Sequence, residues 1–507
     1  MKIIYIIFLL AATAVFAQDY QKQWDRVVAL EQKGTIKSAR SVVDRIYRKA
    51  IREKNEPQVI KSFLYNAKYL KTLEEDAQVV ILKNFAKETI AATVPGRAIL
   101  MQAYAKSLES YLEMNYRRIG TRTRLDSAAT NFLTWAPDDF LREIDRAYRL
   151  SLKDEAVLSR TPLKNYEAIF DYSREDEFLN YSVFDYLLGE YIKFKAKPLS
   201  RQFFNPGNIS HLEKAMMGPW EAFVAVPLDS VKNADLRFVL ELHQKREKYN
   251  HSAAHELQRL KFLHAHAIRS VPQYVAQLEE RILTVKDSAV VQDLRLELAN
   301  KYASSASKNA YPDYMIRARR ILEKIPADNK SAHARAASQL ASINQKSLSV
   351  RMSGIVYPGQ HTRATINYRN TGRITVNYYA IDYKTRLGFQ GPHVNHDSLR
   401  RAIVMGPAVR SVTVDLPEKK DHFEYTTEIL LPQLPQGYYL AHFTGEDPGE
   451  SEKPYALAFV QATNLAILAR RLKDVDQFTI VDRRSGFPLK GVELKSENFT
   501  LDRKSVV

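Results

Sequence analysis

Four histidines fall within the stretch HSAAHELQRLKFLHAH: His251, His255, His264 and His266. On a helix His251 and His255 stand one turn apart, the spacing at which two imidazoles can chelate one metal ion. His255 and His266 also share a face, but at 1.5 Å per residue they lie about 16 Å apart, too far for a single ion. His255-Glu256 opens the His-Glu-x-x-His pattern of zinc proteases, yet the second His is missing. The reading is a helix surface with scattered histidines, with chelation by His251 and His255 as its alternative. The carboxylate pairs Glu74-Glu75, Asp138-Asp139 and Glu279-Glu280 sit in charge-rich helical text. Neighbours along a helix do not face one another, so these are expected to be solvated surface and not acid and base partners.

Loops that make nucleophiles or hold phosphates are also missing. There is no Gly-x-Ser-x-Gly elbow, no phosphate-cradling Gly-Lys-Ser/Thr loop and no Gly-x-Gly-x-x-Gly fingerprint. Cysteine is absent from all 507 residues, which removes thiol nucleophiles, Cys-based zinc sites, disulfides and a lipid-bearing Cys. The expectation is a chain without catalytic residues, metal or cofactor. The formal charge is +17, but Lys and Arg alternate with Glu and Asp, as in LREIDRAYRLSLKDE, so a solvated surface is expected and not a nucleic-acid site.

The elements that would position any such chemistry change character along the chain. Residues 1–17, MKIIYIIFLLAATAVFA, read as a secretory signal peptide: one Lys, then about 14 apolar residues, short of the roughly 20 that span a bilayer. The mature chain would begin at Gln18, and no later run is apolar enough to be a transmembrane helix. From there to residue 345 the apolar period is helical. Val42, Val43, Ile46, Tyr47, Ala50 and Ile51 line one face, Ile60, Phe63, Leu64, Ala67 and Leu70 the next, with Pro57 in a first turn. Helices of this length with short polar breaks predict stacked helical hairpins, a TPR-like α-solenoid. The best single unit spans Asp293 to Ala332, where Ala299 and Ala303 would let helices approach and Pro326 opens a closing turn.

Near residue 346 the period falls to two. Ala364, Ile366 and Tyr368 share a face, Asn370-Thr371-Gly372 turns, and Ile374, Val376, Tyr378 and Ala380 continue. With RSVTVDL, YTTEILL, GYYLAHF and YALAFVQA this predicts an antiparallel immunoglobulin-like β-sandwich over 346–463. Adjacent tyrosines, Tyr378-Tyr379 and Tyr438-Tyr439, should face opposite sides with hydroxyls at the rim; the alternative is a carbohydrate or peptide platform. The fold class is α+β, segregated along the chain. After residue 464, Phe478, Ile480 and Asp482 alternate, Ser485-Gly486 turns, and Val492 and Leu494 alternate again: a hairpin, at best marginal alone.

Several of these strings carry a resemblance. LPQGYYLAHF, VQATNLAIL and IVDRRSGFPLKGVELK, together with YPGQHTRATINYRNTGRITVNYYAID, resemble the amino-terminal macroglobulin domains of the bacterial alpha-2-macroglobulin family, Bacteroidetes type. QDYQKQWDRVVALEQKG is similar to that group's exported helical extension. The resemblance implies residues 18–345 as the helical domain, 346–463 as a first macroglobulin-like sandwich, and 464–507 as the truncated start of a second, the MG2 domain. It also implies an endopeptidase inhibitor that traps target proteases through a bait and, in many members, a Cys-x-x-Gln thioester, both downstream of these residues. No inhibitory residue transfers. The natural chain is expected to continue past Leu501, with DRKSVV read as adapter-derived. The alternative function is a cell-envelope binding or structural protein whose helical array grips a protein partner. Either way the expected location is the periplasm, the outer membrane or the exterior.

Overall fold

The computed structural model describes residues 19–492 apart from 75–76, 124–131, 171–180, 202–208, 210, 391–394, 418, 447–452 and 474. The expected leader and the last fifteen residues lie outside this set, as do Glu75 and Leu494. The chain divides into two compact units, the first ending at Glu280 and the second beginning at Arg281. Among the described residues no helix is long and apolar enough to cross a membrane.

The first unit is helical. Its principal helices are α1 (19–32), α2 (Ile36–Glu53), α3 (Glu56–Leu73), α4 (Ala77–Ala91), α5 (Val94–Met114), α6 (Pro137–Ser151), α7 (Val183–Ala196), α8 (Ala234–Tyr249) and α9 (Ala253–His266). Their starts follow local rules. Asn55 accepts the Gln58 amide and Pro57 occupies the first turn of α3. Ser182 and Asp185 form a reciprocal capping box on α7. α2 buries Val42, Val43, Ile46 and Ala50 against Tyr20, Trp24 and Val27 of α1, each large side chain contributing roughly 1.5–3 kcal/mol. Ile51, expected on the same face, is half exposed because it falls on the flank of the apolar stripe. Pairwise packing of successive helices, α2 on α3, α4 on α5 and α5 on α6, builds the array.

The second unit begins with three helices, α10 (Ser288–Ser305), α11 (Tyr314–Leu322) and α12 (Lys330–Asn344). Ala299, Ala318, Ala332 and Ala336 are all buried where these helices meet, and Asn329 caps α12 after the Pro326 turn. Strand structure starts at Ser347, one residue from the expected change of period. One sheet has the order β1 (Ser347–Met352), β3 (Thr362–Arg369), β6 (Tyr425–Leu431). The other runs β2 (Ile355–Val356), β8 (Tyr455–Ala462), β7 (Gly437–Gly445), β4 (Arg373–Ile381), β5 (Arg410–Asp415). All pairings are antiparallel except the short β2–β8 pair.

The two sheets share one core. Ala364, Ile366 and Tyr368 from β3 and Leu431 from β6 meet Ile374, Val376 and Tyr378 from β4 and Phe443 from β7. Alternation fails at Ala380, which is exposed: β5 pairs only as far as Tyr378, so β4 leaves the core there. Two helices that the sequence reading lacked, α13 (Tyr383–Gly388) and α14 (His396–Val404), come between β4 and β5. They lie against the outer face of the larger sheet, Phe389 meeting Phe459 at 5.0 Å and Arg400 lying 4.2 Å over Tyr455. Their signal was the caps: Asp382 accepts the Thr385 amide and Asn395 the Ser398 amide. A separate two-stranded ladder, β9 (Leu465–Leu472) with β10 (Val475–Asp482), follows the sandwich.

Candidate functional site

Of the histidine-rich segment His255 alone lies in the first unit's interior; His251 is exposed, and His264 and His266 are partly buried. His251 precedes α9, whose cap is Ser252, so it does not share a helical face with His255; it stacks on Trp220 at 4.6 Å. His255 is fully buried. Its Nδ1 lies 2.8 Å from the Asn250 carbonyl, which fixes Nδ1 as the donor and leaves Nε2 as a bare acceptor without a partner among the described residues. Its ring stacks on Tyr181. His243 on α8 is also buried, against Phe262, and its Nε2 has no partner either. His264 lies flat on Tyr274 at 4.2 Å and His266 packs on Phe262. The expected scatter over a helix surface is therefore wrong for His255, because α9 packs this side against α8 and Tyr181.

Two guanidinium groups organise this interior. Arg259 is wholly buried: Nε donates to Glu247 Oε1 at 2.7 Å, Nη2 to the Gly218 carbonyl at 2.9 Å, and Nη1 to the Met216 carbonyl. Its plane lies 4.3 Å over Phe223. One side chain thus neutralises a buried carboxylate and terminates the short helix Glu213–Met217. Arg246 donates to Gln258 and packs so closely on Gly189 that a Cβ there would sit 3.0 Å from Nη2. Burial, with Arg246 and other cations nearby, depresses both imidazoles, His255 to about 4 and His243 well below the ordinary histidine value. Among the described residues no three His, Asp or Glu groups converge to hold a metal. The cluster's chemistry is that of a polar core, with charge compensated by charge.

Of the carboxylate pairs, Glu75 lies outside the described residues. Asp139 Oδ2 accepts the Ala136 amide at 3.0 Å and caps α6. Glu74 stands 3.7 Å from Arg40. Glu279 and Glu280 are exposed, Glu280 accepting from Gln277.

The more distinctive site lies where the sandwich ends. In LPQGYY the Tyr439 hydroxyl, buried with its ring, donates back to the Pro435 carbonyl at 3.0 Å and pins the corner entering β7. Its neighbour Tyr438 faces the other side, where Gln461 donates to its hydroxyl. Tyr378 corrects the rim expectation, since its hydroxyl is buried with no partner among the described residues. β8 ends at Ala462 and β9 begins at Leu465, so two residues, Thr463 and Asn464, join sandwich and ladder. Arg483 spans that joint: Nη1 donates to the carbonyls of Thr463 at 2.8 Å and Val356 at 3.1 Å, the guanidinium lies 4.3 Å over Tyr357, and its amide donates to the Asn464 carbonyl. Tyr357 closes the circuit by donating to the Arg483 carbonyl.

No protein-family model matches the chain, and no curated protein does. Among solved structures, native alpha-2-macroglobulin from Escherichia coli spanning domains MG0-NIE-MG1 is similar at 19% identity over 31% of this chain and 53% of that one, with a TM-score of 0.23. The match therefore spans about half of that structure. The same protein spanning domains NIE-MG1 gives 18% identity over 30% and 76%, TM-score 0.22. The CARDB domain of the PF1109 protein of Pyrococcus furiosus, in complex with di-metal ions, gives 12% over 24% and 88%, TM-score 0.14. Likenesses this low do not set the architecture.

Past the joint, the turn foreseen at Ser485-Gly486 forms. Asp482 Oδ1 accepts the amides of Arg484 and Ser485, and Gly486 takes φ +74°, which a side chain would strain. The chain then starts back along β10, Leu489 donating to the Ile480 carbonyl at 2.9 Å.

Proposed function

We propose that the chain is the amino-terminal scaffold of an exported, alpha-2-macroglobulin-like protease-trapping inhibitor, with no enzymatic role of its own. The observation that carries this reading is the joint at Thr463 and Asn464, where a closed sandwich hands over within two residues to a further antiparallel ladder and Arg483 clamps the two. Short, hydrogen-bonded joints are how a string of β-modules holds its order. The Tyr439 corner supports the immunoglobulin-like, macroglobulin type of sandwich. The buried alanines of α10 to α12 support a TPR-like packing of the helices before it. The domains are then 18–345, 346–463 and 464–507, the last the start of a second sandwich. Target proteases would be met by a bait, and bonded by any thioester, in regions downstream. Trypsin incubated with the full-length gene product should keep its activity on a small peptide substrate and lose it on a large protein; unchanged digestion of both rejects the reading.

The second reading, a helical array that grips a cell-envelope protein, is favoured by an open groove in the first unit.

A further inference from the structure

α4 is apolar on more faces than its own unit covers. Ile81, Leu82 and Phe85 are buried, whereas Ala86 and Ile90 continue the line of Leu82 at four-residue spacing as a stripe that stays exposed over about 6 Å of the helix. This stripe, with Met101 of α5, floors an open groove of about 570 Å³, and Ile90 at its lip is 82% exposed. A helix with two apolar faces implies two apolar coverings. One rim is cationic. At one end Arg97 is exposed; its Nη2 donates to the Ala92 carbonyl at 3.4 Å, and no carboxylate of the described residues pairs with it. Across the groove Arg146 is already compensated: Glu143 accepts from its Nε and Nη2, both at 2.7 Å, and from the Tyr104 hydroxyl.

We propose that this groove docks a peptide segment of another protein that presents a large apolar side chain beside a carboxylate. Charge complementarity selects the carboxylate: the uncompensated guanidinium of Arg97 borders a floor that repels water. Openness selects a peptide over an acyl chain, because backbone amides need polar rims and an acyl chain needs an enclosed pocket. An apolar floor with two guanidinium groups gives nucleic acid no phosphate track. The inference is independent of the inhibitor reading.

The test is selection of a randomised heptapeptide display library on the full chain, counter-selected on Ile90→Asp, followed by anisotropy with the enriched, labelled peptides. Ile90 and Arg97 are exposed, so both variants should keep the wild-type thermal melt. Asp or Glu beside Leu, Ile, Phe or Trp should be enriched, Arg97→Glu should weaken binding about tenfold, and Arg48→Glu on α2 should leave it unchanged. The proposal is overturned if no peptide is enriched, if the enriched peptides are neutral or basic, or if Arg97→Glu binds as wild type does. It is equally overturned if dodecanoate binds the groove and no peptide does, or if sedimentation shows a dimer that Ile90→Asp dissociates.

Discussion

His255 and Arg259, four residues apart on α9, look like surface groups in the text and are among the most buried polar residues of the first unit. Arg259 earns its place through Glu247: truncation to Met should strand a buried carboxylate and cost about 3–5 kcal/mol in urea unfolding, while the double change with Glu247→Leu should recover most of it. The histidines set a pH dependence. With His255 at about 4 in the folded state and near 6.5 unfolded, the unfolded chain binds the extra proton. Its contribution is therefore full above pH 6.5 and is lost as pH falls from 6.5 towards 4, roughly 3 kcal/mol in all. His243 acts in the same direction, and both face Arg246, with Arg259 and Asp185 close by. The helical urea midpoint should fall between pH 7.5 and 5, and His255→Gln should flatten that slope; equal slopes would refute the assignment.

At the scale of elements, turn chemistry was the most legible part of the text. Asn370 takes a left-handed φ of 51° in the foreseen β3–β4 turn, and its Nδ2 donates to the carbonyls of Ile343 and Gln345, both at 3.0 Å. Asn370→Ala removes both bonds and strains the turn, so the second unit's thermal midpoint should drop by an amount equal to about 2 kcal/mol. The core faces of β3 and β4 were equally plain up to Tyr378. Ile51 and Ala380 went astray because periodicity marks a face but not where its covering ends. α13 and α14 were missed because two short helices leave a weak period between strong strands, and only their Asx caps announce them.

For the whole molecule, the joint at Thr463 and Asn464 decides whether sandwich and ladder move as one. Arg483→Ala should leave the sandwich's unfolding nearly unchanged and raise thermolysin cleavage at the joint about tenfold, because the lost bonds tie the linker at Thr463 to the sandwich's short edge strand at Val356 and none reaches the core. Mass analysis of the fragments would locate the cut; cleavage no faster than wild type would show that the linker is held without the clamp. The ladder itself exposes Ile467 and Leu468; the first strand of the foreseen hairpin, Phe478 to Asp482, pairs with upstream β9, while Val492 is in no strand and Leu494 lies outside the described residues.

What the sequence determined alone is local: helical and strand periods, the change of period near residue 346, turns at Asn370 and Ser485-Gly486, and the absence of cysteine chemistry. These follow from φ, ψ and side-chain spacing within a few residues. The tertiary structure alone decided that His243 and His255 lie inside, that Arg259 meets Glu247, that Arg483 reaches Val356, and that α4 leaves Ala86 and Ile90 uncovered beside Arg97. Each depends on which distant element packs against which face, and a one-dimensional pattern shows the face without its partner.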